Sequence, residues 1–321
     1  MKTLYIIGNG FDRAHDMETS YDHFHKWLCM HYKDYCDAIY FADSIDVAKN
    51  KKSLWKQFEE GMGIINLKRY IEGLKEDYAD TQDTETAKGD SFYSGIAYIV
   101  TDQYEKLIVA FREWAKSLDT DHYEPEYNYI NQGDNYFFTF NYTDTLENVY
   151  GIPDDRVMHI HGYARDNKST IQVGHTHNYR ENRDEILAIL DKFLMTDIED
   201  SCDKLIEALN SSIKPVSEII HTNEPYFKQL FALGIEKIIV LGHGYGKIDW
   251  PYFEKIKSVC PNAQWEMTWY TCDDYQNARE LCKYLSLSKI TYTQTSSNPK
   301  KACACWKVMK PFLESWHKNR K

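Results

Sequence analysis

The chain predicts an α/β protein, a Rossmann-like doubly wound parallel sheet with two helical insertions. Three observations carry this. Several short runs are apolar throughout rather than alternating, as strands covered on both faces must be. These runs stop at Gly, Asn or His-Gly, residues that turn a chain. Segments with helical spacing lie between the later runs.

The strand candidates follow in order. Leu4-Tyr5-Ile6-Ile7 runs into Gly8, and Tyr136 to Phe140 runs into Asn141. Val157-Met158-His159-Ile160 precedes His161-Gly162, and Ile171-Gln172-Val173 precedes Gly174. Lys237 to Leu241 runs into Gly242, and Trp265 to Tyr270 and Lys289 to Thr293 extend the sheet. Helices are expected at about Thr143 to Tyr150, Trp250 to Ser258, Asp274 to Leu285 and Trp306 to Trp316.

Two stretches interrupt the alternation. Residues 21–132 read as helical, from the spacing of Trp27, Leu28, His31 and Tyr35, then of Leu54, Phe58, Met62, Ile65 and Tyr70, then from Ile96 to Trp114. Asp80 to Asp90 is expected to be a loop. Residues 180–233 form the second block, with Ile186, Leu187, Leu190 and Leu194 as one stripe. A single domain over 1–321 carrying both insertions is the expected organisation.

Composition limits the function classes. The 321 residues suffice for a large core, and 43% hydrophobic with 27% charged content suits a globular chain. The net charge of −11 argues against general nucleic-acid binding, which needs clustered Lys and Arg. The 25 Tyr fit a pocketed protein or a homo-oligomer. No apolar run approaches membrane-spanning length, and the start resembles a strand rather than an export signal. Eight dispersed Cys without a CxxC pair then read as reduced thiols of a cytoplasmic protein.

Four strand-end segments carry the chemistry. Gly8-Asn9-Gly10-Phe11-Asp12 is either a tight strand-to-helix turn or a cradle for a pyrophosphate. Arg13 stands where a third fingerprint glycine belongs, and Asp12 suits a ribose hydroxyl better than a phosphate. Asn141 either starts an Asx-turn, with Thr143 capping the next helix, or orients a ribose hydroxyl or a water. His159 and His161 share one face of a strand, and Gly162 turns the chain so that His161 is better placed as a general base. Gly242-His243-Gly244 precedes Asp249, which would N-cap a helix with Pro251 at its first position. This segment lacks the GK[ST] ending of a P-loop. His175 and His177 with His161 offer only a weak metal set, so no metal is expected.

Taken together these segments resemble the bacteriophage abortive infection AbiH family over nearly the whole chain. The resemblance rests on Gly8 to Asp12 with Thr19-Ser20-Tyr21 and Phe24, on Phe140 to Glu147, on His159 to Gly162, and on Gly242 to Gly244 with Asp249 and Tyr252-Phe253. That family in turn is similar to sirtuin-like NAD-binding domains, whose Asn and His on the nicotinamide ribose match Asn141 and His161. The paired CxxC motifs of a sirtuin zinc ribbon are absent from the sequence. The resemblance therefore implies anti-phage defence with NAD as substrate or ligand, cleaved at the nicotinamide–ribose bond. It implies Asn141 and His161 as reaction groups, and Gly8, Asn9, Gly10, Phe11, Asp12, Thr143, Gly242, His243, Gly244 and Asp249 as binding groups. A phage-derived trigger would be a further partner. A non-catalytic nucleotide sensor or an interaction protein is the alternative.

Overall fold

The computed structural model describes residues 1–33, 59, 62, 66–73, 92–192 and 198–295. The expected helix at Trp306 to Trp316, the loop at Asp80 to Asp90 and positions Tyr35, Leu54, Phe58, Ile65 and Leu194 lie outside these residues. The chain divides into two compact units. One comprises Met1–Glu18, Asp119–Thr170 and Val216–Lys321, and the other Thr19–Leu118 and Ile171–Pro215.

The first unit holds a six-stranded, all-parallel sheet. Its strands are β1 (Thr3–Ile7), β2 (Asn135–Thr139), β3 (Val157–His159), β4 (Lys237–Leu241), β5 (Gln264–Trp269) and β6 (Ile290–Gln294), in the order β3-β2-β1-β4-β5-β6. All five residues of β1 are buried. Its flanking helices are α1 (Asn9–Ala14), α4 (Thr145–Asn148), α7 (Val216–Thr222), α8 (Glu224–Leu233), α9 (Trp250–Val259) and α10 (Cys272–Tyr284). Alternate residues of each strand face opposite sides. Leu4, Ile6, Phe138, Val240 and Met267 pack with Phe227 of α8, Phe253 and Ile256 of α9, and Leu281 of α10. Tyr5, Ile7, Phe137, Ile239 and Leu241 pack with Phe11 of α1, Leu146 of α4 and Tyr150. Burying one such side chain contributes about 2–3 kcal/mol, so double-sided cover explains the unbroken apolar runs.

The register aligns the strand ends. Ile7 pairs with Thr139 on one side and Leu241 on the other, and Thr139 pairs with His159. The residues that follow these strands therefore emerge along one edge. β1 lies between β2 and β4, so the chain leaves β1 in one direction and returns on the other side. That is a topological switch point, where α/β proteins commonly bind ligands.

The second unit is helical: α2 (Tyr21–His31), α3 (Phe92–Ser117), α5 (Arg183–Leu190) and α6 (Ile198–Asn210). Ser20 caps α2 by accepting from the His23 N–H, and His23 reciprocates. Phe24, Phe111 and Trp114 pack as one aromatic group, with Phe24 and Phe111 centroids 5.0 Å apart. Lys214, with no exposed side-chain surface, pairs with Glu59 at 2.6 Å.

Three expectations need correction. Ile171-Gln172-Val173 is not a sheet strand. It belongs to the second unit and leads to a single bridge between His175 and Ile213. Two apolar residues around Gln172 are too few to distinguish a strand from a buried connection. In α5 the buried stripe is Ile186, Ile189 and Leu190, with Leu187 half-buried. The cysteines are not all reduced: Cys202, Cys260 and Cys282 are free and buried, but Cys29 and Cys272 take part in disulfide bonds.

Candidate functional site

All four strand-end segments belong to the first unit and lie at the carboxyl ends of β1 to β4. Gly8 follows β1 and leads into α1. Its N–H donates to the Leu241 carbonyl at 3.0 Å, that of Gly10 donates to the Gly242 carbonyl at 2.7 Å, and that of Phe11 donates to the Gly8 carbonyl at 2.9 Å. These three donors are thus satisfied within the protein. The glycines are needed for close approach. A Cβ on Gly10 would lie 2.7 Å from the Gly242 oxygen, and one on Gly242 would lie 2.1 Å from the Phe11 nitrogen. Gly242 also has φ +66, a left-handed value that glycine adopts without strain.

Phe11 is fully buried and lies beside Tyr127 and Tyr150, with centroids 5.4 and 5.5 Å away. Asp12 is buried, and its Oδ2 accepts from the Thr143 hydroxyl at 2.7 Å. Its Oδ1 has no hydrogen-bond partner. Burial raises the Asp12 pKa above the usual carboxylate value, opposed by the Thr143 and Thr145 hydroxyls and by His15. Thr143 therefore does not cap α4. Asp144 is the N-cap residue without a side-chain capping bond, and it instead binds the Thr120 hydroxyl at 2.8 Å and Arg165 at 2.6 Å.

Asn141 sits two residues beyond β2. Its amide donates to the Gly8 carbonyl at 3.2 Å, which links the ends of β1 and β2. The two histidines then separate. Nδ1 of His159 lies 3.0 Å from the Asn141 carbonyl, and Nε2 lies 2.9 Å from Oε1 of Glu147. Its ring stacks on Tyr163 at 4.6 Å. Both nitrogens are engaged, which marks His159 as a clamp. His161, 3% exposed, lies among Phe140, Tyr142 and Tyr252, with Nε2 3.8 Å from Oδ1 of Asp249.

His243 completes the group. Its Nδ1 accepts the Tyr245 N–H at 2.8 Å, and its Nε2 lies 3.1 Å from Oδ2 of Asp249. Asp249 is the N-cap residue of α9, but its carboxylate makes no capping bond. It faces the two imidazoles instead. Gly244 has nothing within 4 Å of its missing Cβ, so steric demand does not select glycine there.

Asn9 is exposed on the first turn of α1. The structure thus brings Asp12, Asn141, Thr143, His161, His243 and Asp249 together along one sheet edge. Sequence reasoning missed Glu147, whose position two residues into α4 places it opposite His159. It also missed the pairing of His243 with Asp249. The spacing of six residues across a glycine-rich turn was the available signal.

Among the described residues no group of three or more His, Cys, Asp or Glu is placed to hold a metal ion. In the second unit, Nε2 of His175 lies 3.0 Å from the Ser212 hydroxyl, and its Nδ1 accepts the His177 N–H. No described helix is long and apolar enough to cross a membrane.

The family model for bacteriophage abortive infection AbiH matches residues 4–269. The chain belongs to the AbiH family. The match covers β1 from Leu4, all of β2 to β5 and every residue of the candidate site. Membership gives this AbiH protein a role in abortive infection, a defence against phage. No curated protein matches the chain at a significant level.

Proposed function

We propose that this AbiH protein binds NAD at the switch point and hydrolyses its nicotinamide–ribose bond. The observation that carries the reading is the convergence of Asn141, His161 and the partly unsatisfied carboxylate of Asp12 beside the β1–β4 switch point. A ribose hydroxyl is the kind of donor that Oδ1 of Asp12 lacks. Asn141 would orient the ribose or the attacking water. His161 would accept the proton as water oxygen bonds to the ribose anomeric carbon. The glycosidic electron pair leaves with nicotinamide, giving free nicotinamide and ADP-ribose. The ring nitrogen of NAD is already cationic, so its departure needs no strong acid.

The Gly8 and Gly10 N–H groups point to the Leu241 and Gly242 carbonyls. Pyrophosphate binding in this reading therefore requires Asn9 or a rearranged turn. The second reading, a nucleotide sensor without turnover, carries the same requirement. Asn141, His161 and His243 are 6, 3 and 7% exposed, so each would offer a ligand only a small part of its surface.

Incubation with NAD and chromatographic detection of free nicotinamide tests the reading. Release is expected from the wild type and should fall at least about 100-fold in His161→Ala, the usual scale for losing a general base. Calorimetric NAD binding should survive that substitution. Binding with no nicotinamide release, with or without phage lysate, would replace the enzyme by the sensor. Absence of binding would end both nucleotide readings.

A further inference from the structure

The donors around His243 fix where its proton sits relative to Asp249. The Tyr245 N–H is a donor, so Nδ1 of His243 must present its lone pair. A neutral His243 then carries its proton on Nε2, the nitrogen 3.1 Å from Oδ2 of Asp249. His243 is thus oriented to donate to Asp249. Its orientation is built into the turn. Tyr245 has φ +59, a costly value for a bulky residue, and its buried hydroxyl donates to the Thr268 carbonyl. The Trp250 indole donates to the Tyr245 carbonyl at 3.0 Å, fixing the following peptide on the other side of the same residue.

Asp249 lies at the start of the ten-residue α9, where the helix dipole favours a carboxylate. One oxygen is held by His243. The other lies 3.8 Å from Nε2 of His161, an ion-pair distance too long for a hydrogen bond. A carboxylate there favours a proton on Nε2 of His161 over one on Nδ1. The named ionisable neighbours of that imidazole are Asp249, Tyr142 and Tyr252, with His243 behind Asp249.

We propose that Asp249, held by His243, is a positioning residue that keeps the His161 proton on Nε2 and makes Nδ1 the proton-accepting nitrogen. This rests on the NAD-cleavage reading for its role in turnover, but the tautomer assignment stands apart from it. The array explains two features together: an N-cap carboxylate that does not cap, and a glycine-rich turn whose backbone N–H grips a histidine. Asp249 and His243 would touch no reacting atom. They act through His161, as a carboxylate acts on a catalytic imidazole elsewhere.

Two measurements on the full chain test it. Nitrogen-15 correlation spectra should show both His161 and His243 as Nε2–H tautomers. Asp249→Asn should raise the Nδ1–H population of His161. In NAD turnover, Asp249→Asn should lower kcat about 10- to 100-fold with KM nearly unchanged, the scale for such supporting partners. It should also move the acid limb of the pH profile to lower pH, because an imidazole without the carboxylate loses its proton more readily. His243→Leu should reproduce part of this loss. A wild-type His161 in the Nδ1–H form overturns the proposal, as does an unshifted pH limb in Asp249→Asn. Correct tautomers with no nicotinamide release would leave the array standing and remove only the NAD-cleavage reading.

Discussion

The glycine turns and the polar strand ends occupy the same edge of one sheet and are held by different means. Gly8, Gly10 and Gly242 meet backbone to backbone, with carbonyl-to-amide contacts of 2.7–3.0 Å and no room for a Cβ at Gly10 or Gly242. Asn141, His159, His161, His243 and Asp249 meet mainly through side chains. A glycine cluster after a strand can therefore serve the protein's own packing, while the neighbouring polar groups carry the chemistry. The second unit repeats both devices over two residues. A Cβ on Gly174 would lie 2.2 Å from the Ser212 carbonyl oxygen, and the adjacent His175 ring bonds the Ser212 hydroxyl.

If the glycine turns are packing devices, Gly242→Ala should have the largest effect. The new Cβ would meet a backbone nitrogen at 2.1 Å at a left-handed φ. Strain and overpacking together predict a loss of roughly 3 kcal/mol or more. Urea unfolding of the full chain measures it, and a loss below about 1 kcal/mol would show that the two turns part readily.

His175 tests the polar side in the second unit. Burial, reinforced by the neighbouring His177, lowers its pKa from 6.5 to about 4. The unfolded chain takes up the proton near pH 6.5 and the folded chain only near pH 4. The stability from neutral His175 is therefore present above pH 6.5 and lost as pH falls towards 4. At about 1.4 kcal/mol per pKa unit the loss approaches roughly 3 kcal/mol. In thermal unfolding across this range, His175→Gln should have a shallower acid slope than wild type. Equal slopes would place the acid sensitivity elsewhere.

The two strand histidines divide the polar end itself. His159→Ala removes the partner of both the Asn141 carbonyl and Glu147, whose Oε2 is already buried without a partner. A cost of about 2 kcal/mol is expected from leaving such groups unpaired. His161→Ala should cost less stability and more turnover. If the stability ranking is reversed, His159 is not the clamp.

This division was only half legible in the sequence. The apolar runs gave β1, β2 and β4 nearly to the residue, because a strand covered on both faces has few polar positions to confuse the reading. The order of the strand-end motifs gave the site. The segment at Ile171 failed because two apolar residues around Gln172 serve a buried connection equally well. The partners of Asn141 and His159, and the approach of Asp249 to His161, were hidden because each is fixed by a contact across the fold. Local spacing suggested caps for Thr143 and Asp249. The structure gives those side chains to Asp12 and to the imidazoles of His161 and His243.

Gly244→Ala should have the smallest effect and makes the sharpest control. Gly244 sits in the same turn as Gly242, two residues on, yet its φ is not left-handed and no atom lies within 4 Å of its would-be Cβ. Alanine there should change stability by no more than about 0.5 kcal/mol, and can raise it by restricting the unfolded chain. Its carbonyl accepts from the Asn277 amide at 3.1 Å, a bond that alanine keeps. If Gly244→Ala spared stability but abolished NAD binding, the open space at that Cβ would belong to the ligand. One glycine of the pair would then serve packing and the other binding, a distinction that the motif Gly242-His243-Gly244 conceals.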